Sequence, residues 1–273
     1  MTLELPLAFS LNKFLGLPAV ASQHGEMVDH MLELVHWFMV VLGVGWSIFL
    51  VIVFTKFRKD RQKRADYHGV RGHASTHLEI GVVIVEVILL LGFAFPLWGE
   101  RSDEYPSGKE VMKMRAVAEK FAWTFQYPGL DAVLGSMDLR RVDAATGNII
   151  GRDMSDPNSQ DDFTKQAVLK LPIGRPVIID ITSKDVIHNL TLAPMRMAQD
   201  ATPGVRSHVW FTPTKEGEWD IICGQLCGPG HSGMKATLQI VSQEEFDAFM
   251  KESSEAESKK NEAAAAKPSD VKK

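Results

Sequence analysis

The chain has 273 residues, 45% of them hydrophobic, and a formal net charge of −4. That length holds one ordinary domain plus a further segment, and the acidic balance excludes the basic footprint of a nucleic-acid binder. Two cysteines are too few for a disulfide framework. Residues 1–30 read as a leader. Ala19-Val20-Ala21 resembles a signal-peptidase site after the apolar stretch Phe14–Val20, yet the positively charged start of a signal is missing, with Lys13 the only cation and Glu4 near the front. A cleaved signal and a retained leader fit equally.

Residues 31–105 read as a two-helix transmembrane anchor. Leu34–Thr55 is a run of 22 mostly apolar residues and Ile80–Trp98 a second run of 19. At about 1.5 Å per residue, each crosses a hydrocarbon core about 30 Å thick. Core helices of a soluble protein keep a polar face, whereas these are apolar nearly all round. The exceptions, His36 and Glu86, are expected to face protein rather than lipid. The loop between them, residues 56–77, carries seven Lys or Arg against two Asp. Short basic loops stay cytoplasmic, which places both termini and the rest of the chain on the opposite face, the periplasm in a bacterium.

Residues 106–250 change to short strands punctuated by Pro and Gly, as in an all-β sandwich. Strands are expected at Val111–Ala118, Trp123–Tyr127, Ala167–Leu171, Val177–Thr182, His188–Leu192, Val205–Phe211, Glu218–Cys223 and Met234–Val241. The polar stretch 131–165 reads as a solvated surface loop. Residues 251–273 are charged and low in complexity, and are expected to be disordered.

The densest motif is CGQLCGPGHSGM at 223–234, which places Cys223, Cys227, His231 and Met234 within twelve residues. Thiolate, imidazole and thioether form a soft ligand set that favours copper over calcium, magnesium or manganese. A single cysteine would suggest a mononuclear site; two in one loop suggest thiolates bridging a copper pair. A second histidine is needed, and DVIHNLTL at 185–192 offers His188, with Asp185 and Asn189 as candidates for orienting it. A Cys223–Cys227 disulfide is the competing reading, and it leaves His188, His231 and Met234 unexplained.

With DVIH at 185–188, QDATPG at 199–204, VWFTPT at 209–214 and the Cys/His/Met run, residues 30–250 resemble subunit II of the haem–copper cytochrome c oxidases. The resemblance implies a cupredoxin-like Greek-key sandwich and a binuclear copper centre (CuA). In it, Cys223 and Cys227 bridge both coppers, His188 and Met234 complete one, and His231 with the backbone carbonyl of Gln225 completes the other. It implies an electron-transfer role, from cytochrome c or a similar small carrier to haem in oxidase subunit I, alongside other oxidase subunits. It also implies a proton-path entrance at Glu79, for which the competing reading is an acid made favourable by a helix N-terminus.

Three departures stand out. The family usually has Glu where this chain has Gln225, so a magnesium ion at the junction with subunit I loses a charged ligand of the kind it prefers. Phe121, in KFAWTFQY at 120–127, stands where the family has the electron-uptake tryptophan, with Trp123 two residues on. On a strand those two share a face, which predicts a side-by-side pair that forms the electron-entry patch at the surface; the competing reading is that both rings belong to the sandwich core. Val205 replaces the arginine usual after the PG turn, with Arg206 one place later. The alternative function is a membrane-tethered copper chaperone for oxidase assembly, which also uses CxxxC and a distant His but on a thioredoxin-like βαβ fold. A quinol-oxidase subunit II that has lost its copper is at odds with the intact ligand set.

Overall fold

A computed structural model describes residues 10–64, 67–68, 72–102 and 105–265. The first nine residues of the leader, parts of the basic loop and residues 266–273 of the tail lie outside the described residues. The described chain divides into two units, one of residues 10–18 and the described part of 26–102, the other of residues 19–25 with 105–265.

In the first unit a short helix α1 (Leu11–Phe14) precedes α2 (Gly25–Lys56). Glu33 of α2 accepts from Leu11 N (2.7 Å), Asn12 N (3.0 Å), Ser10 Oγ (3.2 Å) and Trp37 Nε1 (3.0 Å), and Asn12 Nδ2 donates to the Asp29 carbonyl (2.8 Å). Residues 10–12 are therefore held against α2 by one carboxylate that satisfies donors a short helix leaves free. The second span, α3 (Ala74–Leu89), passes through a π-helical turn at Leu90–Ala94 into α4 (Phe95–Ser102). Pro96 explains the wide turn: it has no N–H for the carbonyl four residues back, and its ring crowds that carbonyl.

Both helices outrun the expected spans, because the hydrophobic run marks the membrane thickness whereas the backbone hydrogen bonds continue past it. Both are long and apolar enough to cross a membrane. His36 satisfies its Nδ1–H on the Leu32 carbonyl (2.7 Å) of its own helix, and Glu86 is exposed on this chain. Glu79 lies in the second turn of α3, since the helix begins at Ala74 and not at Glu79. The dipole effect fades after the first turn, so it does not account for an acid there.

The second unit is a sandwich of two five-stranded sheets. The first is ordered β3 (Phe163–Gln166), β2 (Ala122–Tyr127), β1 (Met112–Glu119), β5 (Val177–Ser183), β8 (Ser207–Phe211). The second is β4 (Val168–Pro172), β10 (Lys235–Val241), β9 (Gly217–Cys223), β6 (His188–Leu192), β7 (Met197–Ala201). Two pairs, β1 with β5 and β4 with β10, are parallel; the others are antiparallel. Alternate residues face inward, so Met114, Ile179, Ile181, Leu190, Ile221 and Leu238 meet in one core. Tyr127 ties the sheets together: its hydroxyl donates to the Lys170 carbonyl (3.1 Å) and accepts from Lys170 N (2.8 Å). Its burial pushes the phenol pKa up. Ala21 and Ser22 are buried at the edge of this unit, where Ala21 N donates to the Pro194 carbonyl (2.8 Å) and Thr214 N to the Ala21 carbonyl (2.8 Å).

Two expectations are corrected. The stretch 131–165 is not a loose solvated loop. Ile150, Arg152, Ser159 and Asp162 are buried, and Phe163–Gln166 pairs as a strand with β2. Asp131, Asp138, Asp143, Asp153 and Asp156 each accept the backbone N–H two residues on. The polar residues that suggest solvation are thus turn formers. Likewise the tail is not disordered from 251: α5 (Gln243–Ala265) packs Phe246, Met250 and Ser254 inward and pairs Glu257 with Arg152.

Candidate metal centre

The hairpin β9–β10 carries the densest motif in its connecting loop. Cys223 closes β9 and Met234 immediately precedes β10; Cys223 N donates to the Met234 carbonyl (3.3 Å), closing the neck of the loop. Across the sheet, Leu190 pairs with Cys223, which sets His188 two residues further along β6 on the same inward face. The structure therefore brings together the side chains that lie far apart in sequence. Cys223 Sγ stands 3.9 Å from Cys227 Sγ and 3.9 Å from His188 Nδ1. Cys227 Sγ stands 3.7 Å from His231 Nδ1 and 3.8 Å from Met234 Sδ, and His188 Nδ1 lies 3.1 Å from that Sδ. The Gln225 carbonyl is 3.2 Å from Cys223 Sγ, while its side chain is exposed.

Both cysteines are free and buried, and their sulfurs stand well beyond the ~2.05 Å of a disulfide. His188 is fully buried. Its Nε2–H donates to Asp185 Oδ1 (2.9 Å), which leaves the Nδ1 lone pair aimed at the sulfurs. Burial raises the Asp185 pKa, but hydrogen bonds from His188, Val186 N and Lys120 N outweigh it and hold the carboxyl below its ordinary value. Asp185 is thus the orienting group. Asn189 is not: its side chain donates to Asp200 (2.7 Å) and accepts from Thr191 (2.6 Å), and its carbonyl holds Gly224 N (3.0 Å).

Burial and the adjacent Cys223 sulfur push the Cys227 thiol pKa up. Two neighbouring buried thiolates repel each other, and a cation removes that penalty. The donor set fits a soft metal: two sulfurs, an imidazole with its tautomer fixed, a second imidazole and a thioether, all within reach of one another.

The expected surface pair of Phe121 and Trp123 is not formed. Phe121 lies in the turn before β2, which begins at Ala122, so the same-face rule for strands does not include it. Trp123 is fully buried with its ring edge-on to His188, 6.2 Å between centroids, whereas Phe121 is 38% exposed. Three residues that shape the site carry no ligand atom and do not stand out in the sequence: Gly224, Gly228 and Gly230. A Cβ at Gly224 would stand 2.8 Å from Asn189 Oδ1, and one at Gly228 3.2 Å from Phe121 Cζ. The density of glycine in GQLCGPGHSG is the one signal of them.

A two-sheet sandwich carrying a donor set fit for a soft metal, on a chain with two helices long and apolar enough to cross a membrane, is the class of protein that fold and ligands define. Residues 112–241 match the family described as cytochrome c oxidase subunit II, periplasmic domain. The alternative cytochrome c oxidase subunit 2 of Bradyrhizobium diazoefficiens is 26% identical over 226 residues, 82% of this chain and 79% of that one. Cytochrome c oxidase subunit 2 of Cereibacter sphaeroides is 24% identical over 235 residues (80% and 75%), and that of Yarrowia lipolytica 28% over 227 (81% and 87%). The solved periplasmic domain of subunit II of the cytochrome oxidase of Bradyrhizobium japonicum aligns with a TM-score of 0.40 at 20% identity, covering 56% of this chain and 99% of that one. The matched model and these relatives carry one description, cytochrome c oxidase subunit II, and the chain is similar to the three relatives over about four-fifths of its length.

Proposed function

We propose that this chain is the electron-transfer subunit of a respiratory terminal oxidase, holding a binuclear copper centre between Cys223 and Cys227. The observation that carries the reading is the 3.9 Å gap between the two sulfurs, with His188 beside Cys223, His231 beside Cys227, and Met234 beside both Cys227 and His188. Half that gap is shorter than a metal–thiolate bond of about 2.3 Å, so both sulfurs could hold the same soft metal.

When bound, the copper pair supplies one-electron redox chemistry, with the electron shared across the thiolates. The protein supplies the rest. Cys223 and Cys227 would hold the coppers as thiolates, His188 would offer Nδ1 with its tautomer set by Asp185, and Met234 would add a weak thioether ligand. The Gln225 carbonyl would serve as a further ligand, which leaves its side chain outside the site. Electrons arrive from cytochrome c or a similar small carrier, with Phe121 as the ring at the surface, and leave for haem in subunit I. Glu79 and Glu86, both exposed on this chain, are available to subunit I within the membrane, Glu79 as a proton-path entrance. The basic loop lies in the cytoplasm and the sandwich in the periplasm. A copper chaperone finds no support in a domain built as a two-sheet sandwich.

The test is the full chain in detergent, loaded with copper. We expect two coppers per chain and hyperfine structure from one electron shared by two equivalent copper nuclei. One copper per chain with a mononuclear spectrum refutes the reading.

A further inference from the structure

The turn between β1 and β2 touches the metal centre twice. Lys120 N donates to Asp185 Oδ2 (2.8 Å), and the other oxygen of that carboxylate takes the proton on His188 Nε2. One residue on, the Phe121 ring lies against Gly228 and Gly230, in the segment that joins Cys227 to His231. A Cβ at Gly230 would stand 2.7 Å from ring atoms Cγ and Cε2. Gly230 has φ −91°, a conformation open to any L-residue. The backbone does not demand glycine there; the ring does.

The turn belongs to the first sheet, whereas His188 and the ligand loop belong to the second. It is also well anchored. Glu119 pairs with Ala122 to close the hairpin, and Lys184 N donates to the Ala118 carbonyl (2.9 Å). A feature of one sheet that bears on ligands of the other fixes their spacing across the open end of the sandwich.

We propose that the β1–β2 turn is a clasp that positions both halves of the metal centre, Lys120 through Asp185 onto His188, and Phe121 through Gly228 and Gly230 onto Cys227 and His231. Phe121 is thus a positioning residue, whatever it contributes to electron uptake. The identity of the metal rests on the function proposed above; the contacts of the clasp exist in the metal-free chain.

The experiment therefore has two arms on the full chain. In the metal-free protein, amide hydrogen exchange is followed at His231 and Gly233, whose N–H groups donate to the Gly228 and Gly230 carbonyls (3.0 Å each). In the copper-loaded protein, release to a chelator is timed. Phe121→Ala should speed exchange at both amides and hasten copper release by about 10–100-fold, the range typical for loss of a group supporting metal ligands. Phe121→Trp, a flat ring, should restore both. Gly230→Ala alone should loosen the loop as well, and adding Phe121→Ala should cost less than the sum, because removing the ring frees space for the methyl. Wild-type exchange in Phe121→Ala, or strict additivity in the double variant, overturns the clasp. If the wild-type chain takes up no copper, the function proposed above fails, and the exchange arm still decides the clasp. If Phe121→Ala alone does not fold, recovery of folding in the double variant supports the contact, and failure of the double variant beside a well-folded Gly230→Ala counts against it.

Discussion

Asp162 is fully buried, yet only one of its carboxylate oxygens is engaged. Oδ2 accepts from Gln126 Nε2 (2.5 Å) and Gly135 N (2.9 Å), while Oδ1 has no partner among the described residues. Burial pushes its pKa up to about 6, against the hydrogen bonds from Gly135 and Gln126 and the charge of Arg152. The unfolded value is about 3.9. Below about pH 4 both states carry the proton and Asp162 contributes nothing to pH dependence. Between about 4 and 6 the unfolded chain ionises first and the fold loses stability; above about 6 the penalty is complete, on the order of 2–3 kcal/mol. Asp162→Asn should therefore raise the melting temperature at pH 8 and lose most of that advantage by pH 4; a gain of equal size at both pH values would show that ionisation is not the cause. The proposed ligands were legible in the sequence because thiol, imidazole and thioether groups crowded into one short loop match the donor preference of a soft metal. The Phe121–Trp123 pair was not, since the same-face rule holds only inside a strand and Phe121 lies one residue outside it.

Among the elements, α5 departs furthest from expectation. Its composition is charged, but Glu, Ala, Lys and Gln are strong helix formers, and Phe246, Phe249 and Met250 fall on one face. Phe249 meets the stacked rings of Tyr127 and Phe163 edge-on, at 5.4 and 5.6 Å. Ser254 Oγ donates to the Asp161 carbonyl (3.0 Å), and Asn261 Nδ2 to that of Gln160 (2.9 Å). The helix is therefore held at its start by apolar contacts and along its length by the turns of 131–165. Phe246→Ala should cost roughly 3–5 kcal/mol, as a buried phenylalanine does. Deleting residues 258–273, which keeps Glu257, should shift the denaturation midpoint by far less; equal losses would place the anchoring beyond Glu257. Sequence patterning anticipated eight strands and missed β3 and β7. Both are edge strands, with one neighbour each, and FTKQ and MAQDA lack the apolar alternation that marks a strand buried between two others.

At the scale of the whole molecule, the anchor and the sandwich differ in how the sequence specifies them. The two spans are written locally, as continuous apolar runs, whereas the sandwich depends on pairings that local patterning does not reveal. The asymmetry of the basic loop predicts which side each unit occupies. A cysteine at Ser75, in intact cells, should resist an impermeant thiol reagent added outside, while a cysteine at Lys215 reacts. Both positions are exposed and the native cysteines are buried, so the comparison has a low background. Labelling of Ser75→Cys from outside overturns the orientation. The parallel pairs have a temporal consequence. Strand β1 must wait for β5, and β4 for β10, which is made just before the final helix. Strands β1 and β4 thus leave the ribosome long before these parallel neighbours exist, and long-range pairings of this kind form slowly. The spans enter the bilayer first, so the nascent outer segment is tethered while still unpaired. A tethered, half-made sheet is held apart from other chains, and its edges meet their own later strands before they meet a stranger's.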